Sequence, residues 1–298
     1  CIHILYEVGY DITYKKGRME GSITPQQIDI GAIISAKWGQ SVPHFVVRLV
    51  ERLIHQREIN EILQDHGHLQ GVAFMDKLVE IFRLSLGFVH EERLPQDKRA
   101  LFVSNHPLGG LDGICLTHML AGHYQSDIRY IVNDLLGNLK PLESIFLPVN
   151  KYGSQSRSSI ERMNAALAGD LPVITFPAGL CSRHFDGRIQ DLTWQKSFVR
   201  HAEEFHRPIV PLFFEGYNSK RFYRIERVRR SLGLKFNIGT ALLPDEMFRA
   251  QGSSFRVWVG EPIPYQELPS MGKRPADIAL AIRERVYRLS QETTPSSL

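Results

Sequence analysis

Residues Ala100–Gly113, reading ALFVSNHPLGGLDG, bring a histidine, two adjacent glycines and an aspartate onto one loop. Leu101, Phe102 and Val103 form a short β-type run, and Ser104 and Asn105 end it. His106, Gly109, Gly110 and Asp112 follow, and the apolar segment from Ile114 to Leu120 reads as a helix. Loops leaving the carboxyl ends of buried strands are where α/β proteins collect their chemistry. An imidazole titrates near neutral pH and takes a proton from a hydroxyl. A carboxylate on its other nitrogen fixes the tautomer and stabilises the imidazolium that forms. A structural role competes, with His106 filling a polar niche or Asp112 acting as a plain helix cap. The loop alone does not choose between them.

The elements that must position this loop are legible as periodicities. From Ser41 to Leu63, apolar Val42, Phe45, Val46, Leu49, Val50, Leu53 and Ile54 recur at helical spacing, opposite His44, Arg48, Glu51, Arg52 and Gln56. A second amphipathic helix is expected over Val72–Leu86. After the His106 loop, strands are expected at Ile128–Val132, Ser144–Val149, Leu171–Phe176, Ile209–Phe214, Phe236–Ile238 and Phe255–Val259. Helices are expected over Ser158–Leu167, Leu192–Phe205 and Pro275–Leu289, the last with Pro at its first turn. Strands alternating with helices predict an α/β sheet covered on both faces.

The 298 residues are 43% hydrophobic, ordinary for a globular chain. No apolar run is long enough to span a bilayer, so any membrane contact is expected at the interface. Cys1, Cys115 and Cys181 supply no disulfide framework, as in a reducing cytoplasm. Cys181 reads as an inert thiol, since only His184 lies near it in sequence. His118 and His123 are five apart on a helix, poor spacing for a metal, and none is expected. The net charge is +4, yet Ser219–Lys235 alone carries Lys220, Arg221, Arg224, Arg227, Arg229, Arg230 and Lys235 against Glu226. Such a patch draws an anionic partner, either a carrier, a phosphate or a membrane surface. Nucleic acid is disfavoured because the remainder is slightly acidic and carries no binding motif.

The wording SNHPLGGLDG resembles the His/Asp motif of the glycerolipid (lysophosphatidic-acid) acyltransferase superfamily, where four residues usually separate His from Asp. Here five intervene, and the glycine pair offers backbone freedom to absorb the extra one. NHPLGGLDG is closest to the branch related to bacterial ornithine- and glycine-lipid synthesis. Phe176–Arg183, FPAGLCSR, resembles the third motif, with Phe176, Pro177, Gly179 and Ser182 matching, Ala178 replacing a Glu, and Arg183 displaced. Ile209–Leu212 resembles the fourth, a buried strand with its Pro at an end or bulge. Ser144–Lys151 occupies the place of the second, with Asn150, Lys151 and Arg157 as its polar groups.

The resemblance implies a mixed sheet flanked by helices, preceded by an N-terminal helical segment. Met19 is the first Met and follows Lys15-Lys16-Gly17-Arg18, so 1–18 is expected to be upstream extension, with the native start at Met19. Residues 19–95 are the helical segment, which packs on the core or lies on a bilayer. Residues 96–290 are the α/β domain and 291–298 a frayed tail. The implied activity moves an acyl group from acyl-carrier protein or acyl-CoA, without cofactor, to the hydroxyl of a lysophosphatidic-acid-like lipid at the inner face of the cell membrane. His106 is the implied base and Asp112 its orienting partner. Substrate is implied at Asn105, Gly109, Gly110, Lys151, Arg157, Pro177, Gly179, Ser182 and Arg183. The FPAG and NHPLGGLDG wording suggests an N-(3-hydroxyacyl) amino acid as alternative acceptor. A non-catalytic lipid-binding protein on the same fold is the reading of another class. No Gly-x-Ser-x-Gly elbow speaks for a hydrolase.

Overall fold

The structure is a computed structural model, and it describes residues 27–32, 43–133, 139–149, 156–185, 187–233 and 238–292. Residues 1–18 and 293–298, with Asn150 and Lys151, lie outside the described residues.

Three helices come first: α1 (His44–Leu53), α2 (Gln56–His66) and α3 (Val72–Ile81). Then follow β1 (Ser85–Val89), β2 (Leu101–Ser104), α4 (Gly110–Tyr124), β3 (Arg129–Asn133), β4 (Phe146–Val149), α5 (Arg157–Ala168) and β5 (Val173–Thr175). A hairpin, β6 (Arg183–Phe185) and β7 (Arg188–Gln190), leads to α6 (Ser197–Glu204), β8 (Ile209–Glu215), α7 (Lys220–Ser231), α8 (Ile238–Arg249), β9 (Ser254–Val259) and α9 (Pro275–Leu289).

Seven strands form one mixed sheet in the order β1-β9-β8-β2-β5-β3-β4. All neighbours pair parallel except β8 with β9. Alternation explains how uninterrupted apolar strands serve two cores. Leu101 and Val103 face one core with Val173, Ile209 and Phe213, under α5, α6 and α9. Phe102 faces the other with Ile174, Val210 and Phe214, under α3 and α4. Pro211 sits where the β8–β9 ladder ends: its carbonyl accepts from Gly260 N–H just beyond β9, at 2.8 Å.

Four expected elements differ in the structure. The single helix over Ser41–Leu63 is two, because His55 takes a left-handed φ of 54°. Its ring stacks on Phe248 at 4.3 Å and bonds Asp245 at 3.2 Å, a pairing with α8 that periodicity does not contain. The second helix stops at Ile81, with Arg83 at φ 50°, and Leu86 instead lies in β1, parallel to β9. The helix expected from Leu192 begins at Ser197; Trp194 in its lead-in is buried and donates Nε1–H to Asp191. Ile238, expected to end a strand, opens α8, and Phe236 and Asn237 are outside the described residues.

The basic segment is α7, capped by Ser219, whose Oγ accepts from Phe222 N–H. Phe222 and Tyr223, interleaved with its cations, are buried in a small core with Leu242 and Cys181. They pack the helix rather than offer stacking surface. His118 and His123 pair with Asp76 at 2.7 Å and Glu91 at 2.8 Å, tying α4 to its neighbours. Among the described residues no helix is long and apolar enough to cross a membrane.

Candidate active site

The parallel block β8-β2-β5-β3-β4 sends its carboxyl ends, and therefore its loops, to one edge of the sheet. Asn105 fixes the first loop there. Its side chain bridges to β8, donating to Phe214 O at 3.0 Å and accepting from Phe214 N at 2.7 Å. Asn218, after β8, donates to Pro107 O at 3.0 Å. His106 O accepts from Ser182 N at 2.7 Å, joining the first loop to the third motif.

His106 Nδ1 lies 3.0 Å from Asp112 Oδ1. Asp112 is fully buried, and its Oδ2 accepts from Leu108 N at 2.9 Å. Asp112 thus closes the loop on itself and receives Nδ1–H, leaving Nε2 to accept a proton. The five-residue interval is absorbed at Gly109, whose φ of +78° opens α4 at Gly110 and turns Asp112 back to the ring. A Cβ at Gly109 would also meet Leu243 at 2.8 Å. The imidazole stacks on Phe176 at 4.2 Å. Burial opposes its charged form, while the carboxylates of Asp112 and Asp191 favour it more strongly and Arg183 opposes it; the net effect raises its pKa.

Asp191 was not anticipated. Its carboxylate is buried and accepts from Ser182 Oγ at 2.6 Å, His106 N at 3.1 Å and Trp194 Nε1 at 2.9 Å. The readable signal is the Asp-Gly pair in the sequence at 186–187: β6 and β7 pair Arg183 with Gln190, so the next residues, Ser182 and Asp191, come opposite each other. Burial raises the Asp191 pKa against those hydrogen bonds. Because the three partners are all donors, the charged carboxylate suits the site. Asp191→Asn is therefore expected to make His106 less basic and to shift the acid limb of the kcat/KM–pH profile to lower pH. The double variant Asp191→Asn/Trp194→Phe, which removes the donor that would face the new amide, should show the same shift; an unmoved limb would assign Asp191 packing alone.

A cavity of about 1060 Å³ opens beside this loop. His106, Gly109, Gly110, Pro177, Gly179 and Cys181 reach its wall. Its lining includes apolar residues of α2, α3 and α8, such as Ile59, Leu63, Met75 and Met247. It also includes Ser159 and Asn164 of α5, and Lys196, Arg200 and His201 at and after the cap of α6. Gly110 faces open space, at the amino end of α4 where N–H groups are free of helical partners.

The remaining expected site residues stand elsewhere. Asn105 is engaged between strands, and Ser182 is engaged with Asp191. Arg157 projects into solvent and pairs with Glu161 at 3.1 Å. Arg183 is buried against Glu226 at 3.2 Å and donates to Cys181 O at 3.0 Å. It does not line the cavity, since Glu226 of α7 has taken the charge that an acceptor was expected to meet. Burial pushes the Cys181 thiol up, keeping it protonated.

A family model described as acyltransferase matches residues 32–294. Over 265 residues the chain is 42% identical to the lyso-glycine lipid O-acyltransferase of Phocaeicola vulgatus, covering 88% of this chain and 95% of that one. It is 39% identical to the protein of the same name from Bacteroides thetaiotaomicron, covering 88% and 97%. Among solved structures, the 1-acyl-sn-glycerophosphate (LPA) acyltransferase PlsC of Thermotoga maritima aligns over 89% of this chain and 90% of that one. The sequence identity is 13% and the TM-score 0.46. The chain that carries this His–Asp loop belongs to the acyltransferase family.

Proposed function

We propose that the protein transfers a fatty acyl group from a thioester to the hydroxyl of a mono-acylated glycine lipid. The observation that carries this reading is the His106–Asp112 pair, 3.0 Å apart in the wall of a largely apolar cavity. The names of both relatives support the acceptor. They favour the amino-acid lipid over lysophosphatidic acid, in line with the FPAG wording and the missing Glu at Ala178.

In the reaction, His106 Nε2 takes the acceptor's hydroxyl proton while Asp112 holds Nδ1–H. The oxygen attacks the thioester carbonyl carbon, and the N–H groups at the start of α4 face the charge that develops on the carbonyl oxygen. The C–S bond breaks, an ester forms, and the departing thiolate receives the proton from His106. No acyl-enzyme is needed. The apolar lining suits an acyl chain. Phe45 and Leu49, exposed on α1 beside Arg48 and Arg52, suit contact with the membrane surface that supplies the lipid.

The test is thiol release from palmitoyl-CoA and from palmitoyl-carrier protein, with lyso-glycine lipid or lysophosphatidic acid as acceptor. Release that requires lyso-glycine lipid and yields the diacylated product is expected. Release with lysophosphatidic acid alone would overturn the acceptor, and none with either would overturn the reading.

A further inference from the structure

Resting on that acceptor, we infer that Lys196 and Arg200 form the site for its carboxylate. The hydroxyl and the carboxylate of an N-(3-hydroxyacyl) glycine are only a few bonds apart. An acceptor whose hydroxyl meets His106 therefore carries its anion into the same cavity. A carboxylate leaving water needs a cation or several donors there.

Among the described residues lining the cavity, Lys196 and Arg200 are the lysine and arginine present. They lie one helical turn apart at the start of α6, on one face. Neither has an ion pair or a side-chain hydrogen bond among the described residues. Glu204, one turn further along the same wall, forms no ion pair with Arg200 there. Two further features make this wall receptive. Gln195 N donates to Pro177 O at 2.9 Å, which seats the start of α6 against the loop that stacks Phe176 under His106. His201, in the same wall, has a buried Nδ1 without a partner among the described residues. By contrast Arg183, the cation nearest in sequence to the third motif, is neutralised by Glu226.

Because the two side chains are exposed, their removal leaves the core intact. Lys196→Ala and Arg200→Ala are each expected to raise KM for lyso-glycine lipid about five- to tenfold, with kcat and the KM for palmitoyl-CoA nearly unchanged. The uncharged glycinamide analogue of the acceptor should bind both variants and the parent protein alike. Added salt should weaken lyso-glycine lipid binding in the parent and not in the double variant. A rise in donor KM instead, an equal effect on the glycinamide, or no effect at all would overturn the assignment. If lysophosphatidic acid proves to be the acceptor, the glycine reading fails separately. The same comparison, run with lysophosphatidic acid against uncharged monoacylglycerol, then decides whether these cations hold an acceptor anion.

Discussion

His106→Ala is expected to lower kcat by about 10²- to 10⁴-fold, the range for losing a positioned general base, with a smaller effect on KM. The ring touches the reacting hydroxyl in the proposed reaction, and few groups near it offer a substitute. Asp112 is turned inward to Leu108 N, and Asp191 is closed off by its three donors. The apolar lining and α4 do not depend on the imidazole, so thermal unfolding of the variant should match the parent. Asp112→Asn is expected to fall in the same direction. Its amide must turn a donor either towards Leu108 N–H, which leaves that buried donor unpaired, or towards His106 Nδ1–H, which forces the other tautomer. Measured kcat with folded protein checks the pair. A His106→Ala enzyme at parental rate would move the base elsewhere.

The second large effect is on stability. Arg207 is fully buried, at 0% exposure. Its guanidinium is spent on backbone carbonyls: Nε donates to Leu167 O at 2.7 Å, and Nη1 to Leu171 O at 2.9 Å and Ala100 O at 3.3 Å. Nη2 donates to Ala166 O at 3.1 Å and to Gly169 O. Several of these carbonyls end α5, where the helix leaves its last acceptors unpaired and carries partial negative charge. One side chain thus caps α5, binds the turn into β5 and reaches the residue that precedes β2. Burial lowers its pKa to about 10, so it stays charged at neutral pH. Arg207→Ala strands these acceptors and opens a void, and is expected to destabilise by about 3–5 kcal/mol, through unpaired buried carbonyls and the cavity together. Arg207→Lys should fall between, because an ammonium has fewer donors and no planar fork. Urea unfolding of both variants provides the measurement. A loss under about 1 kcal/mol for Arg207→Ala would mean the carbonyls find water instead.

The residues that do chemistry in this reading were readable because their arrangement is local. His106, Gly109 and Asp112 share one loop, and the loop's position follows from an apolar run before it and a helical one after it. The alternation of strands and helices likewise depends on neighbours in sequence, and it was visible for β2, β3, β4, β5, β8, β9, α5 and α9. Two of the features misplaced or missed there involve partners far along the chain. His55 leaves the helical path for Asp245 and Phe248. Ser85–Val89 becomes a strand because β9, far along the chain, offers an open edge.

The site divides along the same line. By itself the amino-acid sequence determined the His–Asp wording, the family it resembles, and the α/β sheet that presents it. Tertiary structure decided which charges remain free to meet a ligand. Arg183 was spent on Glu226 of α7, Asp191 was folded back by a hairpin onto His106 and Ser182, and Lys196 and Arg200 were left facing the cavity. The physical reason is that covalent neighbours set backbone conformation and its periodicity. Burial and ion pairing depend on which distant side chain arrives within a few ångströms, and that is fixed only when the sheet and its two cores have closed.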